Sequence, residues 1–166
     1  QEMPQTIIIT GASDGIGAAA ARQLSAHGDH VVIVGRSPEK TAAVARELNA
    51  PHHVADYCDL AQGRRLANEL RAANPRIDVL ANNAGGLLKA ETTRDGFDKM
   101  IQVNHLAGFL LTHLLMDHLV ESRAKIIQTS SIGARWLAGR LDADRFDGRT
   151  TRSIFTTYGE TKLMNQ

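Results

Sequence analysis

The sequence predicts an α/β fold in which a parallel sheet is doubly wound, with helices on both faces. Short apolar runs alternate with helix-like segments along the chain, an order typical of right-handed β–α–β crossovers. A glycine-rich turn, GASDGIG at residues 11–17, joins the first apolar run to the first helical segment. Polar clusters follow several of the runs, where parallel strands present their carboxyl ends.

Three strand–helix pairs are predicted in the first half of the chain. They are Thr6–Thr10 with Gly15–His27, Val31–Val34 with Pro38–Leu48, and His52–Ala55 with Leu60–Ala73. Gly28 supplies a C-terminal stop for the first helix. Ser37 and Pro38 have the types preferred at the N-cap and the first position of a helix.

The second half contains two further predicted strands, at Ile77–Ala81 and Lys125–Thr129. Between them we expect one long helix over Thr93–Val120, with Gly108 marking a bend or close packing. Its apolar side is formed by Phe97, Ile101, Leu106, Leu110, Leu114 and Leu115. Asp142–Arg152 is expected to be an exposed loop, and a last helix to begin near Thr156.

Composition limits the function classes. The 166 residues are enough for one domain with a core, so residues 1–166 are interpreted as a single domain. A net charge of +1 without a basic face argues against nucleic acid as a partner. The apolar runs are too short for a membrane span. The single Cys58 fits a reducing cytoplasm, and the scattered histidines predict no metal site.

The turn at residues 11–17 has the properties of a phosphate site. Backbone N–H groups at a helix N-terminus point towards an anion, and the helix dipole favours it. Gly11, Gly15 and Gly17 permit a tight turn and a close approach of a pyrophosphate. The turn therefore indicates a dinucleotide site, although a glycine-rich loop that binds nothing has the same sequence signature.

Tyr158 and Lys162 share a helix face because they are four residues apart. A phenol with a pKa of about 10 is a poor acid–base group at neutral pH. A neighbouring ammonium favours the phenolate and makes the group useful for proton transfer. Alone, the pair is equally compatible with an exposed tyrosine and a solvated lysine.

Taken together, the motifs resemble the short-chain dehydrogenase/reductase family. They are TGASDGIG at 10–17, CDL at 58–60, NNAG at 82–85, Asn104, Ser130-Ser131 and Tyr158-x-x-x-Lys162. The ending YGETKLMN at 158–165 resembles the retinol-dehydrogenase-like branch. The resemblance implies a Rossmann-type sheet and hydride transfer between a nicotinamide cofactor and a carbonyl or alcohol, which is a small-molecule substrate.

The resemblance also implies a role for each catalytic candidate. Tyr158 is the proton donor or acceptor, and Lys162 tunes it and holds the nicotinamide ribose. Ser131, rather than Ser130, donates to the substrate oxygen. Asn104 holds a water that relays protons to the lysine. The alternatives are a turn serine and an asparagine bonded to nearby backbone.

NADP is expected rather than NAD. The end of the second strand reads Val34-Gly35-Arg36 and lacks the carboxylate that binds a ribose 2′-OH. Arg36 offers a fork suited to a 2′-phosphate, and Ser13 adds a hydrogen bond. Asp14 would oppose this by repulsion if it pointed inward, and Arg36 is otherwise an ordinary surface arginine.

Further positions are assigned to the cofactor. Asp59 is expected to face the adenine with Leu60 packed beside it, and Asp59 is also a plausible helix N-cap. The full set of expected cofactor residues is Gly11, Ser13, Asp14, Gly15, Ile16, Gly17, Arg36, Asp59, Leu60, Asn83, Ala84, Gly85, Tyr158 and Lys162.

The sequence stops at Gln166, whereas members of the family continue through two more strands and a substrate-covering segment. The domain is thus expected to lack its C-terminal strands. Three explanations stay open: the chain continues beyond Gln166, the sequence is a shortened piece, or the protein is naturally short. A nucleotide-binding module without catalysis is the alternative function, and a homo-oligomer formed through the long helix is a further possibility. The substrate is not readable: Leu88, Trp136 and other apolar residues could contact it or pack a loop.

Overall fold

A computed structural model describes residues 3–149 and 153–166. Its centre is a parallel sheet with the strand order β3-β2-β1-β4-β5. The strands are β1 at Thr6–Thr10, β2 at His30–Gly35, β3 at His52–Val54, β4 at Val79–Asn82 and β5 at Lys125–Gln128. The strand order reverses between β1 and β4, so a crevice opens there at the carboxyl ends of the strands.

Helices lie between the strands and after the last one. They are α1 at Gly15–His27, α2 at Pro38–Leu48, α3 at Leu60–Ala73, α4 at Lys99–Ile101, α5 at Ala107–Leu114, α6 at Met116–Glu121, α7 at Gly133–Trp136 and α8 at Ile154–Met164. A π-helical turn at Gln102–Leu106 joins α4 to α5, and a 3₁₀ turn lies at Ala143–Arg145. Residues 150–152 of the predicted loop lie outside the described residues.

Two apolar clusters form the core, one on each face of the sheet. Alternate residues of β1 point to opposite faces, so Ile8 enters one cluster while Ile7 and Ile9 enter the other. The first cluster is completed by Leu66 and Leu70 of α3, by Leu111 of α5 and by Leu115, which directly follows α5. The second is completed by α1 and α2 through Ala18, Ala21, Val44 and Ala45. This arrangement confirms the predicted doubly wound sheet.

The prediction of one long helix over Thr93–Val120 is wrong. Helical structure begins at Lys99, where the Asp98 carboxylate accepts a hydrogen bond from the backbone N–H of Ile101 at 3.0 Å. Thr92 and Asp98 form an isolated antiparallel bridge instead. The π turn then rotates the following residues. The buried stripe therefore runs through Ala107, Leu111, Leu115 and Leu119, whereas Leu106, Leu110 and Leu114 are only partly buried.

Gly108 lies at an ordinary van der Waals distance from the end of β4. A Cβ atom there would contact Asn82 at 3.5 Å, which places the start of α5 against the end of β4.

The last helix begins at Ile154, earlier than predicted, because the Ser153 hydroxyl accepts a hydrogen bond from the Phe155 N–H at 3.3 Å. Within residues 3–149 and 153–166, no helix is long and apolar enough to span a membrane.

Candidate functional site

A cavity of about 670 Å³ lies at the carboxyl edge of the sheet. The turn after β1, the end of β2, the residues after β3, β4 and β5, and helix α8 all contribute to its wall. The predicted residues on this wall are Gly11, Ser13, Asp14, Gly15, Ile16, Gly17, Arg36, Asn83, Ala84, Gly85, Ser131, Tyr158 and Lys162. The topology therefore brings motifs from both ends of the chain into one space.

The glycine turn needs glycine for both backbone and packing reasons. Gly11 and Gly15 adopt φ angles of +65° and +53°, in the left-handed region. A Cβ atom on Gly17 would lie 2.2 Å from the carbonyl oxygen of Gly11. Helix α1 can thus approach β1 closely, and its first residues line the cavity.

Thr10 and Asn83 tie β1 to the segment that follows β4. The Thr10 hydroxyl accepts hydrogen bonds from the N–H groups of Asn83 and Ala84, both at 3.0 Å. The Asn83 amide donates to the Thr10 carbonyl at 3.2 Å, and its oxygen accepts from the Thr129 hydroxyl at 3.1 Å. Asn83 therefore joins the ends of three neighbouring strands and fixes the floor of the cavity.

Two cations stand at the end of β2. Arg36 is exposed and lines the cavity together with Lys40 of α2, which was not predicted from the sequence. The Lys40 ammonium is 2.8 Å from the carboxylate of Asp14. This hydrogen bond from Lys40 holds the pKa of Asp14 below its usual range. Asp14 thus carries its charge beside a cation, which offsets the repulsion that it would exert on a phosphate.

Asp59 and Leu60 are not among the residues that line the cavity, and their contact with the adenine stays a prediction. Asp59 is the N-cap of α3, where its carboxylate accepts from the Ala61 N–H at 3.0 Å and from Arg94 at 3.1 Å. Strand β3 ends at Val54, so the residues at its carboxyl end are Ala55, Asp56 and Tyr57, and these line the cavity. The CDL motif, at residues 58–60, directly follows these cavity-lining residues in the chain.

Lys162 of α8 is buried, with an exposed fraction of 4%. Its ammonium donates to the carbonyl of Thr129 at 3.3 Å and lies 5.8 Å from the centre of the Tyr158 ring. Burial lowers the pKa of Lys162, because the charged form loses solvation. The predicted pairing on one helix face is thus present, with the lysine inward and the half-buried Tyr158 on the cavity wall.

The two serines after β5 have different environments. The Ser130 hydroxyl donates to the carbonyl of Lys162 at 2.6 Å, which fastens α8 to the end of the sheet. The Ser131 hydroxyl accepts a hydrogen bond from the N–H of Gly133 at 3.1 Å. A Cβ atom on Gly133 would lie 3.1 Å from the Tyr158 ring. The absence of a side chain there lets Ser131 and Tyr158 share one side of the cavity.

Asn104 lies in the π turn and is buried, with an exposed fraction of 5%. Its side-chain amide donates to the Gly86 carbonyl at 3.0 Å and to the Thr161 hydroxyl at 3.1 Å. Its side-chain oxygen accepts from the Gly86 N–H at 2.9 Å. The side chain thus links the segment after β4 to α8. π turns are frequent at functional sites.

No cluster of three or more histidine, cysteine or carboxylate side chains suited to a metal ion occurs within the described part of the chain. The cavity is instead lined by glycines, by hydroxyl and amide groups, by cations and by the carboxylates of Asp14 and Asp56. This donor set suits an organic anion with ribose hydroxyl groups.

Comparison with known families assigns the chain. The family model of the short chain dehydrogenases matches residues 5–138. The chain belongs to this family. The match covers the glycine turn, Asn83, Asn104 and Ser131, whereas Tyr158 and Lys162 lie beyond it.

Relatives of this short-chain dehydrogenase include members of the retinol-dehydrogenase-like branch. It is 44% identical over 169 residues to a Streptomyces sp. (strain C5) protein assigned as a candidate daunorubicin C-13 ketoreductase, covering 97% of this chain and 58% of that protein. It is 36% identical over 169 residues to human retinol dehydrogenase 13, covering 96% of this chain and 50% of that protein. The chain therefore spans between half and three fifths of these relatives.

Solved structures have the same fold. A protein from Mycobacterium paratuberculosis matches with a TM-score of 0.82 and 33% identity, over 99% of this chain and 61% of that one. A short-chain dehydrogenase from Escherichia coli CFT073, solved in complex with NADPH, matches with a TM-score of 0.74 and 28% identity, over 96% of this chain and 66% of that one.

Proposed function

We propose that this protein is an NADP(H)-dependent oxidoreductase that interconverts a carbonyl compound and an alcohol. The observation that carries the proposal is that one cavity joins the glycine turn of β1 to Tyr158 and Lys162 of α8. A dinucleotide needs a phosphate site at one end and a reactive site at the other. The family membership supports the same reaction class.

The cavity residues fit the cofactor. Gly11, Gly15 and Gly17 leave backbone free to approach a pyrophosphate, since side chains there would be strained or would overlap the neighbouring backbone. Asp56 and Tyr57 are proposed to hold the adenine. The ribose of the nicotinamide is assigned to Tyr158 and Lys162, and Asn83, Ala84 and Gly85 line the path between the two ends.

Ser131 and Tyr158 are proposed to act on the substrate oxygen. When bound, the nicotinamide supplies or accepts the hydride. Ser131 accepts a hydrogen bond from Gly133 at 3.1 Å, which leaves its own proton for the substrate oxygen. Tyr158 gives a proton to that oxygen during reduction and takes one during oxidation. Lys162 stabilises the phenolate, and Asn104 is assigned to the proton path behind it.

The proposed preference for NADP rests on charge at the end of β2. Arg36 and Lys40 line the cavity beside Ser13, and no acidic residue takes the position that binds a ribose 2′-OH in NAD-dependent relatives. We expect Arg36→Ala to weaken NADPH binding by about tenfold or more while NADH binding changes little. Titration of each cofactor by fluorescence measures this. Similar losses for both cofactors would contradict a 2′-phosphate role.

Turnover tests the function directly. NADPH consumption is measured with a panel of aldehydes and ketones that includes polycyclic ketones and retinal, because the relatives are named for such substrates. We expect Tyr158→Phe to abolish turnover and to leave NADPH affinity nearly unchanged. Near-normal rates in that variant would contradict the proton-transfer role. Binding of NADPH without turnover in the full-length protein would favour the alternative, a non-catalytic nucleotide-binding module.

The proposal also covers the cellular location and the oligomeric state of the enzyme. A cytoplasmic location is suggested by the free Cys58.

A homo-oligomer is suggested by Phe109, which is 62% exposed on α5 and stacks on His113 with ring centres 6.4 Å apart. Sedimentation of the full-length protein and of Phe109→Ser tests both points: a wild type of monomer mass would contradict the oligomer, and an equal oligomer mass for both proteins would contradict the role of Phe109.

A further inference from the structure

We propose that Asn165 is a positioning residue of the catalytic site. Its carboxamide holds two peptide carbonyls in place around Lys162, so that the ammonium stays beside Tyr158. The inference rests on the proposed function, because it assigns a role in the proton transfer at Tyr158.

The contacts of Asn165 carry the inference. Its side-chain nitrogen donates to the carbonyl of Asn104 at 2.9 Å and reaches the carbonyl of Thr129 at 3.5 Å. The Lys162 ammonium donates to the same Thr129 carbonyl at 3.3 Å. One carbonyl therefore receives hydrogen bonds from both Asn165 and Lys162.

The helix places these groups together. Tyr158, Lys162 and Asn165 are spaced i, i+4 and i+7, which is one face of α8 and its C-cap. Lys162 and Asn104 have exposed fractions of only 4% and 5%. Hydrogen bonds are strong in such a desolvated environment, and a missing donor is costly there.

His105 fixes the orientation of the carboxamide. The Nδ1 atom of His105 lies 2.9 Å from the side-chain oxygen of Asn165. The Asn165 side-chain nitrogen donates to carbonyl groups, so the side-chain oxygen faces the imidazole and accepts a hydrogen bond from it. His105 therefore carries a hydrogen on Nδ1 when neutral. Protonation adds a hydrogen at Nε2 and leaves this contact intact.

Other charged groups lie on the elements around α8. They are the N-cap Asp98 and Lys99 at the start of α4, His105 of the π turn, Arg135 of α7, the Asp142–Arg145 pair and Glu160 of α8 itself. Lys99 is paired with Glu91 at 2.7 Å. Among these groups, within the described ranges, only His105 is hydrogen-bonded to the Asn165 side chain.

Loss of the Asn165 carboxamide should shift the pH–rate profile in a predictable direction. The carbonyls of Asn104 and Thr129 lose a donor, and the Lys162 ammonium is the nearest replacement. An ammonium drawn towards these carbonyls supports the Tyr158 phenolate less. Oxidation of an alcohol needs the phenolate, so the rising limb of its pH–rate profile moves to higher pH.

The test compares Asn165→Ala and Asn165→Leu with the wild-type enzyme in the alcohol-oxidation direction. We expect a roughly tenfold lower kcat and a rising limb displaced upwards by about one pH unit. The dissociation constant of NADPH should stay within about twofold. Asn74→Ala is the matched control: the Asn74 amide donates to the Leu70 carbonyl of α3 at 2.9 Å, so its loss should leave the pH profile in place.

His105→Ala provides a second variant if substitution of Asn165 prevents folding. It removes the anchor of the carboxamide oxygen and keeps the donor, so a smaller displacement in the same direction is expected. A lower kcat with an unmoved limb would overturn the inference, because that result describes a structural residue only.

Nitrogen-15 NMR of His105 tests the contact without turnover. We expect the neutral ring to carry its hydrogen on Nδ1 in the wild type and to lose this preference in Asn165→Ala. A ring with its hydrogen on Nε2 in the wild type would overturn the inference. If the wild type shows no turnover, the proposed function fails, while the NMR result still decides the Asn165 contact.

Discussion

Gly85 is the position where a single methyl group would most directly disturb the candidate site. A Cβ atom there would lie 2.9 Å from the side-chain oxygen of Asn104 and 3.2 Å from the Lys162 ammonium. Both groups would have to shift. We expect Gly85→Ala to lower kcat roughly 10- to 100-fold, because small displacements of catalytic groups have effects of that size. Steady-state kinetics with NADPH measures this.

Gly63 is the control for that substitution. It lies within α3, and among the described residues a Cβ atom there would meet nothing within 4 Å apart from the backbone of its own helix and its chain neighbours. Gly63→Ala should leave kcat unchanged and raise the free energy of unfolding by about 0.5–1 kcal/mol, because alanine favours helix. Equal losses of activity in the two variants would show that the contacts around Gly85 do not matter.

At the residue scale, helical spacing was a better guide to the cavity than the motifs that follow the strands. Tyr158 and Lys162 were predictable because helical spacing alone puts them on one face. The assignment of Asp59 to the adenine came from the family motif and stays a prediction, whereas Asp56 and Tyr57, which line the cavity, were overlooked. Lys40 was missed because its approach to the cavity depends on how α2 packs, which no local pattern reports.

Asp78 links the start of β4 to the start of β1. Its carboxylate accepts from the Thr6 N–H at 2.8 Å and from Arg76 at 2.6 Å. Burial raises the pKa of Asp78, but these hydrogen bonds outweigh it and the net shift is downward. The folded state therefore binds this proton less readily than the unfolded state. The stabilisation is complete above the unfolded pKa, about 3.9, and is lost as the pH falls through the lower folded value.

Asp78→Asn should therefore lower the free energy of unfolding by about 1–2 kcal/mol at pH 7. The difference from the wild type should shrink as the pH falls below about 4. Urea unfolding at a series of pH values measures both. Asp117→Asn, at an exposed position in α6, should change stability by less than about 0.5 kcal/mol. A constant difference across the pH range would contradict the role of the Asp78 charge.

At the element scale, strands and capped helices were predictable and the long helix was not. Helix α2 begins at Pro38 as predicted, because its N-cap and first residue are local signals. The start of the helical segment after β4 is also signalled locally, by the turn pair Asp95-Gly96 and the N-cap Asp98, but the apolar spacing suits a longer continuous helix. The π turn at Gln102–Leu106 has no such local signal and depends on tertiary contacts. Among these is Gln102, whose amide donates to the Tyr57 carbonyl at 2.8 Å.

At the scale of the whole molecule, topology explains why distant motifs meet. In a doubly wound parallel sheet all strands end at one edge, so the polar residues after β1, β2, β4 and β5 had to converge there. That convergence was predictable from the alternation of strands and helices. The strand order β3-β2-β1-β4-β5 adds the crevice between β1 and β4. The width of the cavity and the residues on each of its walls depend on side-chain packing, which the sequence pattern does not report.

The cavity joins two parts of the molecule that are far apart in sequence, so the cofactor should stabilise both. Residues 11–17 form one wall, and α8 contributes Tyr158 and Lys162 to another. NADPH at about 100 times its dissociation constant should stabilise the fold by about 2.7 kcal/mol. Hydrogen exchange should slow in both segments. A 2′-phosphorylated ADP-ribose, which lacks the nicotinamide, should protect residues 11–17 but protect α8 much less. Equal protection of α8 by both ligands would place the nicotinamide elsewhere, and with it the hydride transfer assigned to Tyr158.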